Sequence, residues 1–135
     1  MAEAREALVQ AWLREAWEAL ADAEHAAAGD RCNNAAGRLY FACFYAVTAL
    51  LVQRGERFSK HGGVRALFNQ HVGRGGLVAA DLVALYNDAF QARLLADDKV
   101  DFLVEPARVA AWIGGVRRFV PAIKRLVATA SDPGK

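Results

Sequence analysis

Apolar residues recur along this chain with a period near 3.6 residues, and no run alternates long enough to suggest a strand. The pattern predicts an all-α protein. A first helix is expected over about 3–28, with Leu8, Trp12, Ala16, Leu20 and Ala23 near one stripe and Glu15, Glu18, Asp22 and Glu24 on the other face. Gly29-Asp30 should stop it, with Gly29 as the C-terminal glycine. A second helix over about 31–54 carries Leu39, Tyr40, Phe41, Phe44, Tyr45, Val47, Leu50, Leu51 and Val52. It is apolar nearly all round and belongs in the middle of the fold.

Ser59 is placed to cap a third, short helix reaching about residue 72, on which Val64, Leu67, Phe68, His71 and Val72 share a face. Gly73 to Gly76 end it. The fourth helix, about 79–96, puts Leu82, Leu85, Tyr86, Ala89 and Phe90 on one stripe that continues into Arg93 and Asp97, so a charged pair falls where core residues are expected. Pro106 suits the first turn of a fifth helix with the stripe Val109, Trp112, Ile113, Val116, Val120, Ile123 and Val127. Gly114-Gly115 and Pro121 should bend it or admit a close neighbour.

At 135 residues, 55% hydrophobic and 24% charged, the chain suits one domain with a real core, taken as residues 1–130 with a fraying tail at 131–135. The start has neither a secretory nor a transit pattern, and the apolar stretch 39–52 is shorter than a bilayer span, so a cytoplasmic protein without a membrane role is expected. Cys32 and Cys43 lie roughly 16 Å apart along one helix and cannot bridge within it.

A net charge of +2 conceals an alternation. Residues 1–30 sum to −5, 31–76 to +6, 77–105 to −4 and 106–135 to +5. Either neighbouring helices complement one another, or the arginines 31, 38, 54, 57, 65, 117, 118 and 125 feed a groove for phosphates.

The chain has no P-loop, dinucleotide fingerprint, HExxH, GxSxG or EF-hand spacing, which removes the usual nucleotide-hydrolysing, zincin and hydrolase classes. No metal or cofactor site is expected; Asp97, Asp98, Asp101 and Glu105 match no cation-binding loop. His25 reads as a surface side chain and His71 as a satisfied core histidine. His61, in Lys60-His61-Gly62-Gly63, stands where it caps backbone groups or faces a phosphate. Arg93 with Asp97 is either an internal ion pair that holds the packing or a cleft pair able to stabilise charge on a phosphate.

The run Asn34-Ala-Ala-Gly-Arg38-Leu-Tyr40-Phe-Ala-Cys-Phe-Tyr45-Ala-Val-Thr-Ala-Leu-Leu51, then Gly55, Ser59-Lys60-His61, Phe68, Val72, Gly76-Leu77 and Ala92-Arg93-Leu-Leu-Ala96-Asp97, resembles the HEPN domain family. Within that family the resemblance is to the small stand-alone UPF0332-type proteins, and it covers about residues 5–128. It implies an up-and-down bundle of four to five helices that forms a homodimer, often beside a minimal nucleotidyltransferase in a toxin–antitoxin pair. It also implies a metal-independent endoribonuclease carried by Arg-x4-6-His at the dimer seam.

Arg93 matches that arginine, but the positions four to seven residues later are Asp97, Asp98, Lys99 and Val100, and the family's Tyr after Asp97 is Asp98. The catalytic histidine has no counterpart there, which leaves His61 or His71 as the imidazole source. The leading expectation is therefore a binding or regulatory module of a toxin–antitoxin-like pair. An endoribonuclease using Arg93 and a purely structural helical dimer are the alternatives. The candidate catalytic residues are Arg93, Asp97 and His61, and the candidate nucleotide or RNA contacts are Arg38, Lys60, His61 and Arg93.

Overall fold

The computed structural model describes residues 2–58 and 61–130. Ser59, Lys60 and the tail 131–135 lie outside them, and with them the expected cap, one candidate phosphate contact and the expected fraying. Among the described residues the elements are α1 (Ala2–Ala28), α2 (Cys32–Gln53), α3 (His61–Phe68), a π-helical turn (Asn69–Gly73), α4 (Ala80–Asp98) and α5 (Pro106–Ala130).

The α1–α2 pair is the backbone of the bundle, its two long helices lying along one another and joined by a three-residue turn. The turn closes as a Schellman motif: the Arg31 N–H bonds the Ala26 carbonyl at 2.9 Å and the Asp30 N–H bonds the Ala27 carbonyl at 3.1 Å. The left-handed residue is Asp30 (φ 61°), one place later than the expected Gly29. Aspartate tolerates that conformation because its short polar side chain bonds locally. Gly55 (φ 71°) ends α2 in the same way.

α1 buries Val9, Leu13, Ala16, Leu20 and Ala23, while the expected Leu8 is 48% exposed. The buried set repeats every 3.5 residues, the spacing of two helices wrapped along a shared seam, and that rotates the first turns by one position. α2 is the central helix, packed by α1, α4 and α5. By length and composition it is apolar enough to cross a membrane, but 72% of its most apolar window is buried in the bundle.

The third helix is shorter than expected. It gives way at Asn69 to a wide turn in which the Arg74 N–H reaches back to the Asn69 carbonyl at 3.0 Å. Asn69 and Asn87 exchange side-chain hydrogen bonds of 2.9 and 3.0 Å, and Asn87 also accepts from Arg65 at 2.8 Å, which ties the turn to α4.

α5 continues through Pro121. The close approach expected in that helix occurs at Gly115, where a Cβ would stand 2.8 Å from Leu85 Cδ2 of α4. This contact lies within the chain, so the glycine pair gives no sign of a dimer seam. The two cysteines are free, Cys43 buried and Cys32 half-buried.

Candidate functional site

Asn33, Asn34, Gly37, Arg38 and Phe41 recur at three- and four-residue intervals and so share one face of α2; Ala92, Arg93, Ala96 and Asp97 do the same on α4. These two faces, with Asp22 and Ala26 of α1 and Val104 of the α4–α5 loop, enclose a cavity of about 570 Å³. Ala26, Gly37, Ala92 and Ala96 leave the space, since none carries more than a methyl group. At Gly37 even a Cβ would already meet Arg93 Nη1 at 3.6 Å.

The loop wall is clipped by Asn33. Its Nδ2 donates to the Phe102 carbonyl at 2.7 Å, and its Oδ1 accepts from the Val104 N–H at 2.9 Å. Asn33→Ala should lower stability by about 2 kcal/mol, because two bonds are lost and the Val104 amide is left buried without its partner. Hydrogen exchange at that amide should accelerate; unchanged protection would show the loop to be held by other contacts.

Two guanidinium groups attend one ring. Arg38 Cζ lies 4.9 Å and Arg93 Cζ 4.8 Å from the Phe41 centroid, within cation–π range. Each arginine also leans on a carboxylate: Arg93 Nε is 3.3 Å from Asp97 Oδ2, and Arg38 Nη1 is 3.8 Å from Asp22 Oδ2. The Arg93 and Asp97 side chains are 37% and 61% exposed, so the pair is not an internal one. It lines the cavity between α2 and α4, across from Gly37, whose missing side chain leaves the guanidinium space. Exposed pairs of this kind contribute about 0–1 kcal/mol. A phosphate can exchange for the carboxylates at small cost.

His61, the first residue of α3, reaches the same aromatic patch. Its Nδ1 is 3.0 Å from Tyr40 Oη, its ring stacks on Phe44 at 4.2 Å, and it meets Phe41 edge-on at 5.5 Å. Partial burial, and then the positive charge of Arg93, lower the His61 pKa below its usual value. Burial pushes Tyr40 up to about 12 against the pull of Arg93, so its hydroxyl keeps its proton at neutral pH.

Because the folded pKa of His61 lies below the unfolded one, the fold favours the neutral ring. That contribution is complete above the unfolded value and is lost as pH falls through the lowered one. An NMR titration should place the His61 midpoint below 6.5, and Arg93→Ala should raise it part of the way back. An unmoved midpoint would show that Arg93 does not act on the ring.

Arg38, His61, Arg93 and Asp97 are thus brought together. Lys60 lies outside the described residues. His71 is not a core residue: its side chain is 37% exposed and its Nε2 lies 3.9 Å from Glu56 Oε1. Three of the other arginines named from the sequence are engaged elsewhere. Arg117 bonds Glu24 through both Nε and Nη2, Arg118 bonds Asp81 at 2.8 Å and holds its carboxyl below the ordinary range, and Arg65 lies over Phe90 at 4.2 Å. The alternation of charge is therefore complementarity between helices at Arg117 and Arg118. Asp97, Asp98, Asp101 and Glu105 do not converge, and no group of three potential ligands sits together among the described residues.

Sequence reasoning missed Phe41 as the shared ring, Tyr40 as the partner of His61 and Asn33 as the clip. The spacing Arg38-x-x-Phe41 on one helix is the signal that pointed to the first of these.

Comparison with known proteins gives two findings. The family model described as HEPN domain matches residues 9–126. A protein of Thermotoga maritima named UPF0332 protein is 38% identical to the chain over 125 residues, which cover 91% of this chain and 93% of that protein.

Proposed function

The chain belongs to the HEPN domain family, and from that premise we propose that it is a binding and regulatory module that takes phosphate-bearing, single-stranded RNA in the cavity between α2 and α4. One observation carries the reading: Arg38 and Arg93 converge on the half-buried Phe41 at the mouth of a cavity lined by small residues. The arginine forks suit phosphate oxygens, and an aromatic ring beside them offers a base a stacking surface.

In the same reading the module works in the cytoplasm as a homodimer, paired with a nucleotidyltransferase-type partner in a toxin–antitoxin-like unit. The exposed Leu94, Leu95, Val100 and Leu103, at the end of α4 and in the loop that follows, supply an apolar surface beside the cavity for a second copy to cover. The purely structural reading is disfavoured by the exposure of the Arg93–Asp97 pair, which leaves no buried charge for Arg93→Ala to strand.

The test is fluorescence anisotropy of a labelled single-stranded RNA whose sugars are 2′-O-methylated, so that binding is read without cleavage. Saturable binding is expected, with a log–log salt slope of about −1.4 for two phosphate contacts. Folded protein that shows no saturable binding at 50 mM salt would overturn the reading.

A further inference from the structure

We infer that the α4–α5 loop, 99–105, is a gate latched by Asn33, and that a strand entering the cavity between α2 and α4 unlatches it and opens a second cavity behind it. The inference rests on the reading of the first cavity as an RNA site and adds a regulating movement to it. It begins from a shared wall. Beside the cavity of about 570 Å³ lies another of about 470 Å³, bounded by the α1–α2 turn, the start of α2 and the loop that leads into α5. Asn33, Asn34 and Val104 line both, so the partition is a single layer of side chains from α2 and the loop.

Two hydrogen bonds close that partition. Asn33 Nδ2 donates to the Phe102 carbonyl at 2.7 Å, and the Val104 N–H donates to Asn33 Oδ1 at 2.9 Å, so one side chain fastens two points of the loop. The backbone bonds of the loop are local among the described residues: Lys99 N–H to the Leu95 carbonyl, and Phe102 N–H to the Lys99 carbonyl. None of them ties it to another helix. Val104 is buried and Phe102 half-buried, whereas Val100 and Leu103 stand in solvent. A segment with few buried contacts and one polar clip opens at lower cost than the helices it joins.

Charge gives the movement its direction. Asp98, Asp101 and Glu105, all exposed, stand against Lys99 alone, three acids to one base. Asp98 and Glu105 are the chain neighbours of Asp97 and Val104, which line the first cavity, so they act on its contents within the roughly 10 Å that charges reach at 0.1 M salt. A phosphate-bearing strand is repelled by the latched loop and favours the loop moved away. That difference between two states is what a ligand needs to shift an equilibrium. By reciprocity, whatever loosens the latch tightens the strand. In the open state the Asn33 amide is released from the loop, and its N–H donors are free for phosphate oxygens.

The second cavity contains its own reporter. Cys32 lines it and is half-buried, while Cys43 is enclosed in the bundle, so the Cys32 thiol reads the opening. The experiment follows the full chain at one protein concentration, with and without saturating 2′-O-methyl strand. Two rates are measured: hydrogen exchange at the Val104 amide, and alkylation of Cys32 by iodoacetamide, an uncharged reagent. Adding the strand is expected to speed both about tenfold, an ordinary size for coupling between two sites. A strand that merely stabilised the fold would slow them.

Asn33→Ala should speed both rates without any strand. It should also bind the strand about three- to tenfold more tightly than wild type, because a larger share of the protein is already open. The triple variant Asp98→Asn, Asp101→Asn, Glu105→Gln keeps the latch and changes only exposed side chains. In it the strand should alter the two rates by no more than about twofold, since the repulsion that favours opening is gone. Three results would overturn the inference and leave the binding reading standing: a strand that binds yet leaves both rates unchanged or slower, a triple variant that responds as fully as wild type, or weaker binding by Asn33→Ala. Failure of the strand to bind wild-type protein would overturn the binding reading itself, and this inference with it.

Discussion

Arg93→Ala is expected to weaken binding of single-stranded RNA by about 10- to 100-fold while shifting the melting temperature by no more than about 4 °C. The binding figure follows from the loss of charge-assisted hydrogen bonds to a phosphate, about 1.5–3 kcal/mol. The small thermal figure follows from exposure: the side chain is 37% exposed and its carboxylate partner 61%, so the pair adds at most about 1 kcal/mol to the fold. Arg93→Lys should recover the charge without the fork and restore only part of the affinity. Anisotropy and differential scanning calorimetry on the same samples separate the two effects. A variant that binds normally but melts far lower would assign Arg93 to packing instead.

Phe119→Ala is expected to have the opposite profile, with a loss of about 3–5 kcal/mol in stability and no direct effect on the cavity. Phe119 is fully buried and joins Phe68 at 5.7 Å and Tyr86 at 5.8 Å in a cluster where α3, α4 and α5 meet. Phe68 and Tyr86 themselves lie 5.1 Å apart, so truncation would leave a hole bounded by two large rings with little freedom to collapse. Urea denaturation with an unchanged m-value should show the full loss; a loss below about 1 kcal/mol would mean that the three helices are held together elsewhere.

Periodicity recovers the elements of this fold because each helix buries one well-marked stripe. Leu82, Leu85, Tyr86, Ala89 and Phe90 of α4 are all inside, as their spacing requires. What periodicity missed depended on neighbours. The stripe drawn for α5 omits Phe119, which is as deeply buried as Val116 and Val120, because that helix is contacted by α1, α2 and α4 and so buries more than one stripe. Leu8 fails as a core residue because the α1–α2 seam repeats at 3.5 residues.

At the site, Arg93 and Arg38 were legible as charges on otherwise apolar helices, but their convergence on Phe41 depends on how α4 crosses α2. Nothing in the order of residues brings His61 to Tyr40, 21 positions earlier. Of the two readings of Arg93 with Asp97, the internal pair extends the α4 stripe past Phe90, the last large residue of that helix that the bundle covers, and the exposed pair at a cleft is the one found.

The central claim is that Arg38, Phe41 and Arg93 together hold the phosphate and base of an RNA strand. The most direct measurement is the NMR spectrum of the arginine Nε–H groups and the aromatic protons, followed as the 2′-O-methyl strand is added. The account predicts that the Arg38 and Arg93 signals move first and together with the Phe41 ring protons, while Arg117 and Arg118, tied to Glu24 and Asp81, stay in place. Movement confined to other arginines, with Arg38, Arg93 and Phe41 unchanged at saturation, would contradict it.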